Sequence, residues 1–172
     1  MQPTPETSQW FALRTRSRTE RKAGERLDRA GVEVFTAAPL QEREWSDRTK
    51  RVRVPLFPGY IFARFPLRDL TPVLGVPGVV DVVRMGGRPA PVRAEELEAL
   101  HRMVTGVEAT GHPAEAADPL ERGDPVRVTA GPFEGLEGIL LDDPRGSRVA
   151  VRIEALRQAR AIRLHREWVT PL

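Results

Sequence analysis

Cysteine and histidine, which supply many nucleophiles and metal ligands, number none and three in this 172-residue chain. It contains no cysteine, which excludes a thiolate nucleophile, a thiolate metal site and a disulfide framework. Its three histidines, His101, His112 and His165, match no HExxH-type ligand spacing. A P-loop, a GxGxxG fingerprint and a GxSxG elbow are also missing from the sequence. We therefore predict a protein that is not an enzyme and that uses no metal and no cofactor.

Aromatic side chains beside a Pro-Gly pair are better suited to binding than to catalysis. The segment Phe57–Tyr60 reads FPGY, and the pair Trp10–Phe11 opens a short apolar run near the start. Proline fixes its own φ and glycine can adopt a φ closed to other residues, so the segment predicts a tight corner exposing Phe57 and Tyr60. Rigid aromatics make good interface anchors because they lose little rotamer entropy. The alternative interpretation is that these side chains belong to the core of a small sheet.

Positive charge is concentrated near the N-terminus, although the net charge of the whole chain is only +3. Five basic side chains fall close together: Arg14, Arg16, Arg18, Arg21 and Lys22. Only Glu20 opposes them, so we predict contact with nucleic-acid phosphates. The segment 41–54 adds further basic residues, but Glu42, Glu44 and Asp47 dilute them. A mixed charge run of that kind is usually a solvated face.

The N-terminal part predicts an α+β domain, an antiparallel sheet with packed helices. Apolar runs at 10–15, 32–35, 60–65 and 79–83 predict strands, and the charged segment 41–54 predicts a hairpin. Apolar residues at helical spacing predict helices over 19–30 and 94–104. Residues 1–8 are polar with two prolines and predict a disordered lead-in, so the domain is expected to span 9–104.

Composition changes after residue 104. Residues 105–121 are rich in glycine, alanine, proline and acidic residues, which predicts a flexible linker. Residues 122–172 hold short apolar runs and tight turns, with strands predicted at 126–129, 137–141, 148–153, 161–164 and 168–170. Five short strands in so small a unit favour an SH3-like β-barrel. Phe133, in the first loop of this unit, is expected to plug one end of the barrel or, alternatively, to contact a partner.

Two motifs, taken in order, resemble one family. Pro55–Phe65 (PLFPGYIFARF) resembles the signature of the N-terminal domain of NusG-type transcription elongation factors, and Gly123–Leu141 (GDPVRVTAGPFEGLEGILL) resembles a KOW motif. The likeness covers roughly residues 9–172. It implies an NGN-like domain, a linker and a KOW barrel. It also implies binding to the clamp of bacterial RNA polymerase and an effect on pausing or termination.

The resemblance assigns roles to the residues described above. Its expected contacts with the clamp helices of the largest polymerase subunit are Trp10, Phe11, Phe57, Pro58, Gly59 and Tyr60. The basic cluster is expected near upstream or non-template DNA. The KOW loop comprises Gly131, Pro132, Phe133, Gly135 and Gly138, in a domain expected to recruit another factor such as the ribosomal protein NusE. We expect a cytoplasmic monomer without a membrane segment.

One segment departs from the pattern of the housekeeping members. Where they carry Ile-Phe-Gly-Arg, which contacts NusE and termination factor Rho, this chain has Ala155–Gln158 (ALRQ). The departure favours a specialised, RfaH/UpxY-like antitermination paralogue serving particular operons. Two alternatives stay open. One is a housekeeping NusG that couples polymerase to the ribosome or Rho, and the other is a KOW-type RNA- or ribosome-binding protein that does not touch polymerase.

Overall fold

A computed structural model describes residues 6–172, so residues 1–5 of the predicted disordered lead-in lie outside the described part. The strands, numbered along the chain, are β1 Gln9–Thr15, β2 Glu33–Phe35, β3 Leu40–Trp45, β4 Arg48–Arg53, β5 Tyr60–Phe65, β6 Val79–Val82, β7 Arg84–Met85, β8 Arg88–Pro89, β9 Pro91–Val92, β10 Glu115–Ala117, β11 Pro125–Val128, β12 Glu137–Asp143, β13 Gly146–Ile153, β14 Gln158–Leu164 and β15 Val169–Pro171. The α-helices are α1 Glu20–Arg29, α2 Leu70–Leu74 and α3 Ala94–Thr110. Within residues 6–172 no helix is long and apolar enough to cross a bilayer.

These elements form two compact units. Unit 1 contains the described residues through Ala37 together with Phe57–Ala94, and unit 2 contains Ala38–Leu56 together with Glu95–Leu172. The hairpin β3–β4 and almost all of α3 therefore group with the C-terminal sheet, although the sequence placed them inside 9–104. That 9–104 and 122–172 fold as independent domains stays a prediction.

Unit 1 is an antiparallel sheet covered by helices, as the sequence predicts. Its strand order is β2-β5-β1-β6, with β9 alongside β1. One face packs against α1 and α2, and its core is formed by Phe11, Leu13, Ala23, Leu27, Ile61, Ala63, Phe65, Val73, Val79 and Val82. Ala23 and Leu27 are one helical turn apart, which explains why this stripe of α1 is buried.

The opposite face of the unit 1 sheet carries a different set of aromatics. Side chains alternate along a strand, so Trp10 points away from the face that holds Phe11. In the β1–β5 ladder Ala12 pairs with Phe62 and Arg14 pairs with Tyr60. Cross-strand partners share a face, which places Trp10, Phe62 and Tyr60 together on the face opposite α1 and α2.

Unit 2 contains a six-stranded antiparallel sheet in the order β10-β14-β13-β12-β11-β15. Its last five strands in the chain correspond to the five that the sequence predicts. The sixth, β10, comes from the predicted linker and pairs with β14 through Glu115↔Ala161 and Ala117↔Ala159. Helix α3 also continues to Thr110, six residues past the predicted domain end at 104. Regular structure thus covers residues 105–110 and 115–117 of the predicted linker, and the flexibility of 105–121 stays a prediction.

Helix α3 is ordered this far because it has partners on both sides within unit 2. The carboxylate Oε1 of Glu108 accepts hydrogen bonds from the backbone N–H of Leu40 at 3.0 Å and from Arg53 Nη1 at 3.2 Å. The Oε1 of Glu96 accepts a hydrogen bond from the backbone N–H of Glu154 at 2.9 Å. The helix thus holds the base of hairpin β3–β4 at one end and the C-terminal sheet at the other.

Candidate functional site

The FPGY segment forms the corner that the sequence predicts. The backbone N–H of Tyr60 donates to the carbonyl of Phe57 at 3.1 Å, which closes a four-residue turn. Pro58 occupies the second position, and Gly59 occupies the third with φ of 85°. This is the pattern of a type II turn, which requires a positive φ at the third residue.

The corner is held by two further hydrogen bonds. The backbone N–H of Thr15 donates to the carbonyl of Gly59 at 2.8 Å. The N–H of Gly59 donates to Oε1 of Glu20, also at 2.8 Å, and Glu20 is only 8% exposed. The sequence shows Glu20 only as an acidic residue in the first helical turn. Its partner lies 39 residues away, so local pattern could not reveal that it positions the corner.

The corner does not expose Phe57, contrary to the sequence prediction. Phe57 is 1% exposed and meets Phe62 edge to face, with ring centroids 6.5 Å apart. Phe62 in turn stacks with Phe35 at 6.2 Å. Buried aromatic pairs of this geometry stabilise the core beyond their area burial alone. Phe57 therefore packs in the core beneath the corner. The core interpretation is correct for Phe57 and also for Phe11, which is fully buried.

Three residues of this region stay accessible and form what we call the aromatic surface: Trp10, Pro58 and Tyr60. Trp10 and Tyr60 are partly buried and Pro58 is exposed. Beside Tyr60 lies a cleft of about 270 Å³, lined by Arg14, Tyr60, Asp81, Val82, Val83 and Arg84. The structure thus places a predicted polymerase contact, Tyr60, next to a predicted DNA contact, Arg14.

All five side chains of the predicted basic cluster are exposed. Arg14 lies on β1, Arg16 and Arg18 lie in the loop that follows, and the other two lie in the first turn of α1. Arg18 has a positive φ of 60°, in the left-handed region that is unusual for a residue with a side chain. Arg21 bonds Glu25 at 3.2 Å, an exposed pair worth little to stability. The cluster is a solvent-facing cationic surface on unit 1.

The KOW loop is built from two overlapping tight turns, 131–134 and 133–136. The N–H of Glu134 donates to the carbonyl of Gly131 at 3.1 Å, and the N–H of Leu136 donates to the carbonyl of Phe133 at 3.0 Å. Gly131 and Gly135 have φ of 80° and 84°. Gly138 has a different role, since it lies within β12 and a Cβ there would overlap the backbone carbonyl of Ala150 on β13.

Phe133 is buried at the tip of this loop, while its neighbour Pro132 is exposed. The ring lies against Gly106 of helix α3, so closely that a Cβ at Gly106 would overlap it. The Nη1 of Arg102 adds a hydrogen bond to the carbonyl of Glu134 at 3.2 Å. Of the two roles predicted for Phe133, the structural one fits, but its packing partner is a helix that the sequence assigned to the other domain.

The first two residues of the ALRQ segment, Ala155 and Leu156, end a short 3-10 turn that begins at Glu154. Ala155 and Leu156 are each 9% exposed, and Arg157 follows with a left-handed φ of 52°. Leu156, the one apolar residue kept from the housekeeping pattern, therefore points into the protein.

Three surfaces stand out in the described structure. Among the side chains of residues 6–142 and 144–172, no three His, Cys, Asp or Glu residues converge to hold a metal ion. In the described part of the chain, unit 1 carries a rigid aromatic corner and an exposed cationic cluster, and unit 2 carries the KOW loop. Each of these features is a candidate binding surface.

Comparison with known proteins supplies the class. The family model for transcription termination factor nusG matches residues 8–101, more than half of the chain. The transcription termination/antitermination protein NusG of Thermus thermophilus is 28% identical over 164 residues, which cover 84% of this chain and 88% of that protein. The Deinococcus radiodurans protein of the same name is 29% identical over 158 residues, covering 77% and 82%. A solved structure of Thermotoga maritima NusG has a TM-score of 0.52 at 25% identity and covers 98% of this chain and 99% of its own. The chain belongs to the NusG family of transcription termination/antitermination factors.

The type II turn gives a direct test of the corner. A Gly59→Ala variant is expected to lose about 1 kcal/mol of unfolding free energy, since a non-glycine residue is strained at this φ. No atom lies within 4 Å of the position a Cβ would take, so the loss isolates backbone strain from steric overlap. Urea unfolding measures it, with Gly75→Ala as the matched control, because Gly75 has φ of −77°. Equal stability of the two variants would contradict the turn assignment.

Proposed function

We propose that this protein binds the clamp helices of bacterial RNA polymerase through the aromatic surface of unit 1. The observation that carries the proposal is the corner itself, where Tyr60 projects from a turn fixed by Pro58, Gly59 and the buried Glu20 carboxylate. Aromatic side chains held this way bind at low entropic cost. The relatives described above are named as transcription termination/antitermination proteins, and RNA polymerase is the enzyme on which such factors act.

The mechanism we propose is occupancy of the polymerase cleft. A protein bridging the clamp favours the closed, active state over the opened, paused state, and no bond is made or broken. A change of about 1–2 kcal/mol in the free-energy difference between the active and the paused state changes the ratio of their populations roughly 5- to 30-fold. Such a shift suffices to suppress pausing or termination, which is the direction we propose for this chain.

Single-round transcription by purified bacterial polymerase tests that direction. We expect saturating protein to shorten pause lifetimes several-fold on a template with defined pause sites. Longer pauses, or increased release at a terminator, would contradict an antitermination role while leaving polymerase binding intact. A Tyr60→Ala variant is the matched control, because it should lose the effect at the same protein concentration.

We propose in addition that the basic cluster contacts upstream or non-template DNA. Each phosphate contact with B-DNA contributes roughly −0.9 to the slope of log affinity against log salt concentration. An Arg16→Gln/Lys22→Gln variant is therefore expected to reduce the slope by up to about 2. Arg29→Gln removes one positive charge at the exposed far end of α1 and serves as the control for a single charge removed outside the cluster. An unchanged slope in the double variant would remove these two residues from the DNA contact.

Two variants of the function differ in the partner of unit 2. The ALRQ segment, with Leu156 buried, supports a specialised paralogue that does not couple polymerase to NusE or Rho. The similarity to general NusG proteins over more than three quarters of the chain supports the housekeeping alternative. Titration of the full chain with purified NusE separates them. Binding would favour the housekeeping role, and no binding would favour the specialised one.

A further inference from the structure

The hairpin β3–β4 stands out in unit 2 because it forms a two-stranded sheet of its own. All side chains from Glu42 to Arg51 are exposed. Only its base is anchored, with Gln41 buried, Val52 half-buried and Arg53 bonded to Glu108. The tip is closed by the pair Trp45↔Arg48 across a two-residue turn.

The register of the hairpin sorts its charges by face. Alternation along each strand puts the pairs Arg43↔Lys50 and Trp45↔Arg48 on one face. The other face carries the pairs Glu42↔Arg51 and Glu44↔Thr49. Dilution by acidic residues, expected from the sequence, is therefore confined to one side. The face with Arg43, Trp45, Arg48 and Lys50 holds three cations and no carboxylate of either strand, and Asp47 lies in the turn.

This face has features that folding alone does not favour. Like charges placed directly opposite each other, as Arg43 and Lys50 are, destabilise a ladder. Among the described side chains, residues 6–142 and 144–172, no ion pair is found for either of them. Trp45 leaves 47% of its surface in water, which makes it one of the large apolar side chains most exposed in the described chain. The guanidinium of Arg48 lies 5.7 Å from the centre of the Trp45 ring, a cation–π arrangement.

We propose that this face of the hairpin tip binds single-stranded nucleic acid, with Trp45 stacking on one unpaired base. An exposed aromatic ring flanked by cations is the general solution for single strands, because every base has a π-face and every linkage carries a phosphate. Arg48 extends the stacking platform, and Arg43 and Lys50 neutralise the adjacent phosphates. The site belongs to unit 2, whereas the aromatic surface and the basic cluster belong to unit 1, and it requires no polymerase.

The test is binding of the full chain to fluorescein-labelled 12-nucleotide dT and rU strands, measured by anisotropy over a series of salt concentrations that starts at low salt. Trp45→Ala is expected to weaken binding roughly 5- to 150-fold, the loss of one base–aromatic stack, and Trp45→Phe to recover most of it. An Arg43→Gln/Lys50→Gln variant should lower the salt slope by about 1.4 for single strands. These positions are exposed, so an unchanged urea midpoint will confirm that each variant is folded.

Controls on the other face make the result specific. Thr49→Ala, on the opposite face of the same hairpin, is expected to bind like the parent chain. Preference for dT or for rU would identify the source of the strand as DNA or RNA, and either result supports the site. The proposal is overturned if Trp45→Ala binds both strands as tightly as the parent, or if the parent chain binds neither. A failure of polymerase binding would leave this result unaffected.

Discussion

Replacing Gly106 with alanine is expected to destabilise unit 2, although glycine to alanine usually stabilises a helix interior by about 0.5–1 kcal/mol. The new Cβ would overlap the ring of Phe133, and forcing atoms into a packed contact costs about 1–3 kcal/mol. Urea unfolding should therefore show a lower midpoint with little change in slope. The opposite sign, a stabilised variant, would mean that α3 does not pack on the KOW loop.

A double-mutant cycle isolates the contact between the two residues. Phe133→Ala alone is expected to cost about 3–5 kcal/mol, because it leaves a cavity under the loop. In the double variant the Gly106→Ala penalty should vanish, so the two effects are strongly non-additive, as expected for residues in contact. Thr105→Ala, an exposed neighbour on the same helix, serves as the control and should be additive with Phe133→Ala. Additivity of the Gly106 and Phe133 changes would contradict the packing described here.

The second large effect concerns the FPGY corner, where Phe57 and Tyr60 are expected to behave differently. Phe57→Ala should cost about 3–5 kcal/mol of unfolding free energy, since its ring is fully buried against Phe62. Tyr60→Ala should cost much less, because Tyr60 is only partly buried. Urea unfolding of both variants, read with the same probe, measures the difference.

The comparison also decides which of the two can be an interface anchor. A Phe57 variant that loses its partner would lose it through unfolding, whereas a Tyr60 variant should stay folded and lose binding alone. Phe57→Leu is the control, because it keeps most of the buried apolar volume and is expected to keep most of the stability. If Phe57→Ala were as stable as Tyr60→Ala, the burial of Phe57 would be incorrect.

Local features of unit 1 could be predicted from the sequence because their causes are local. Pro58 and Gly59 determine the corner through their own backbone preferences, whatever surrounds them. The stripe of Ala23 and Leu27 determines which side of α1 is buried. The basic cluster is exposed for the equally local reason that arginine and lysine side chains are costly to bury.

Features that depend on distant partners could not be predicted. Residues 105–110 have no strong apolar period, yet they are helical because Gly106 and Glu108 find partners from elsewhere in unit 2. The linker composition of 115–117 likewise gave no sign of a strand, since β10 depends on the edge that β14 offers. The sequence predicts Phe57 at the surface, whereas it is buried because the turn brings it against Phe62.

The hairpin face shows a third kind of limit. The sequence shows the types of its residues and predicts that the acidic ones dilute the basic ones. Whether acidic and basic side chains share a face of the hairpin depends on register, because a shift of one residue in the pairing would exchange the faces of every side chain on one strand. Once Arg43 is known to face Lys50, the acidic residues are seen to lie on the other side.

The central claim, polymerase binding through the aromatic surface, is tested most directly by retention of bacterial core RNA polymerase on the immobilised full chain. The parent chain and a Val80→Ala control, an exposed apolar position on β6, are expected to retain polymerase equally. Tyr60→Ala is expected to lose about 2 kcal/mol of binding free energy, a fall in affinity of roughly 30-fold, while staying folded. No retention by the parent chain, or equal retention by a folded Tyr60→Ala variant, would contradict the claim.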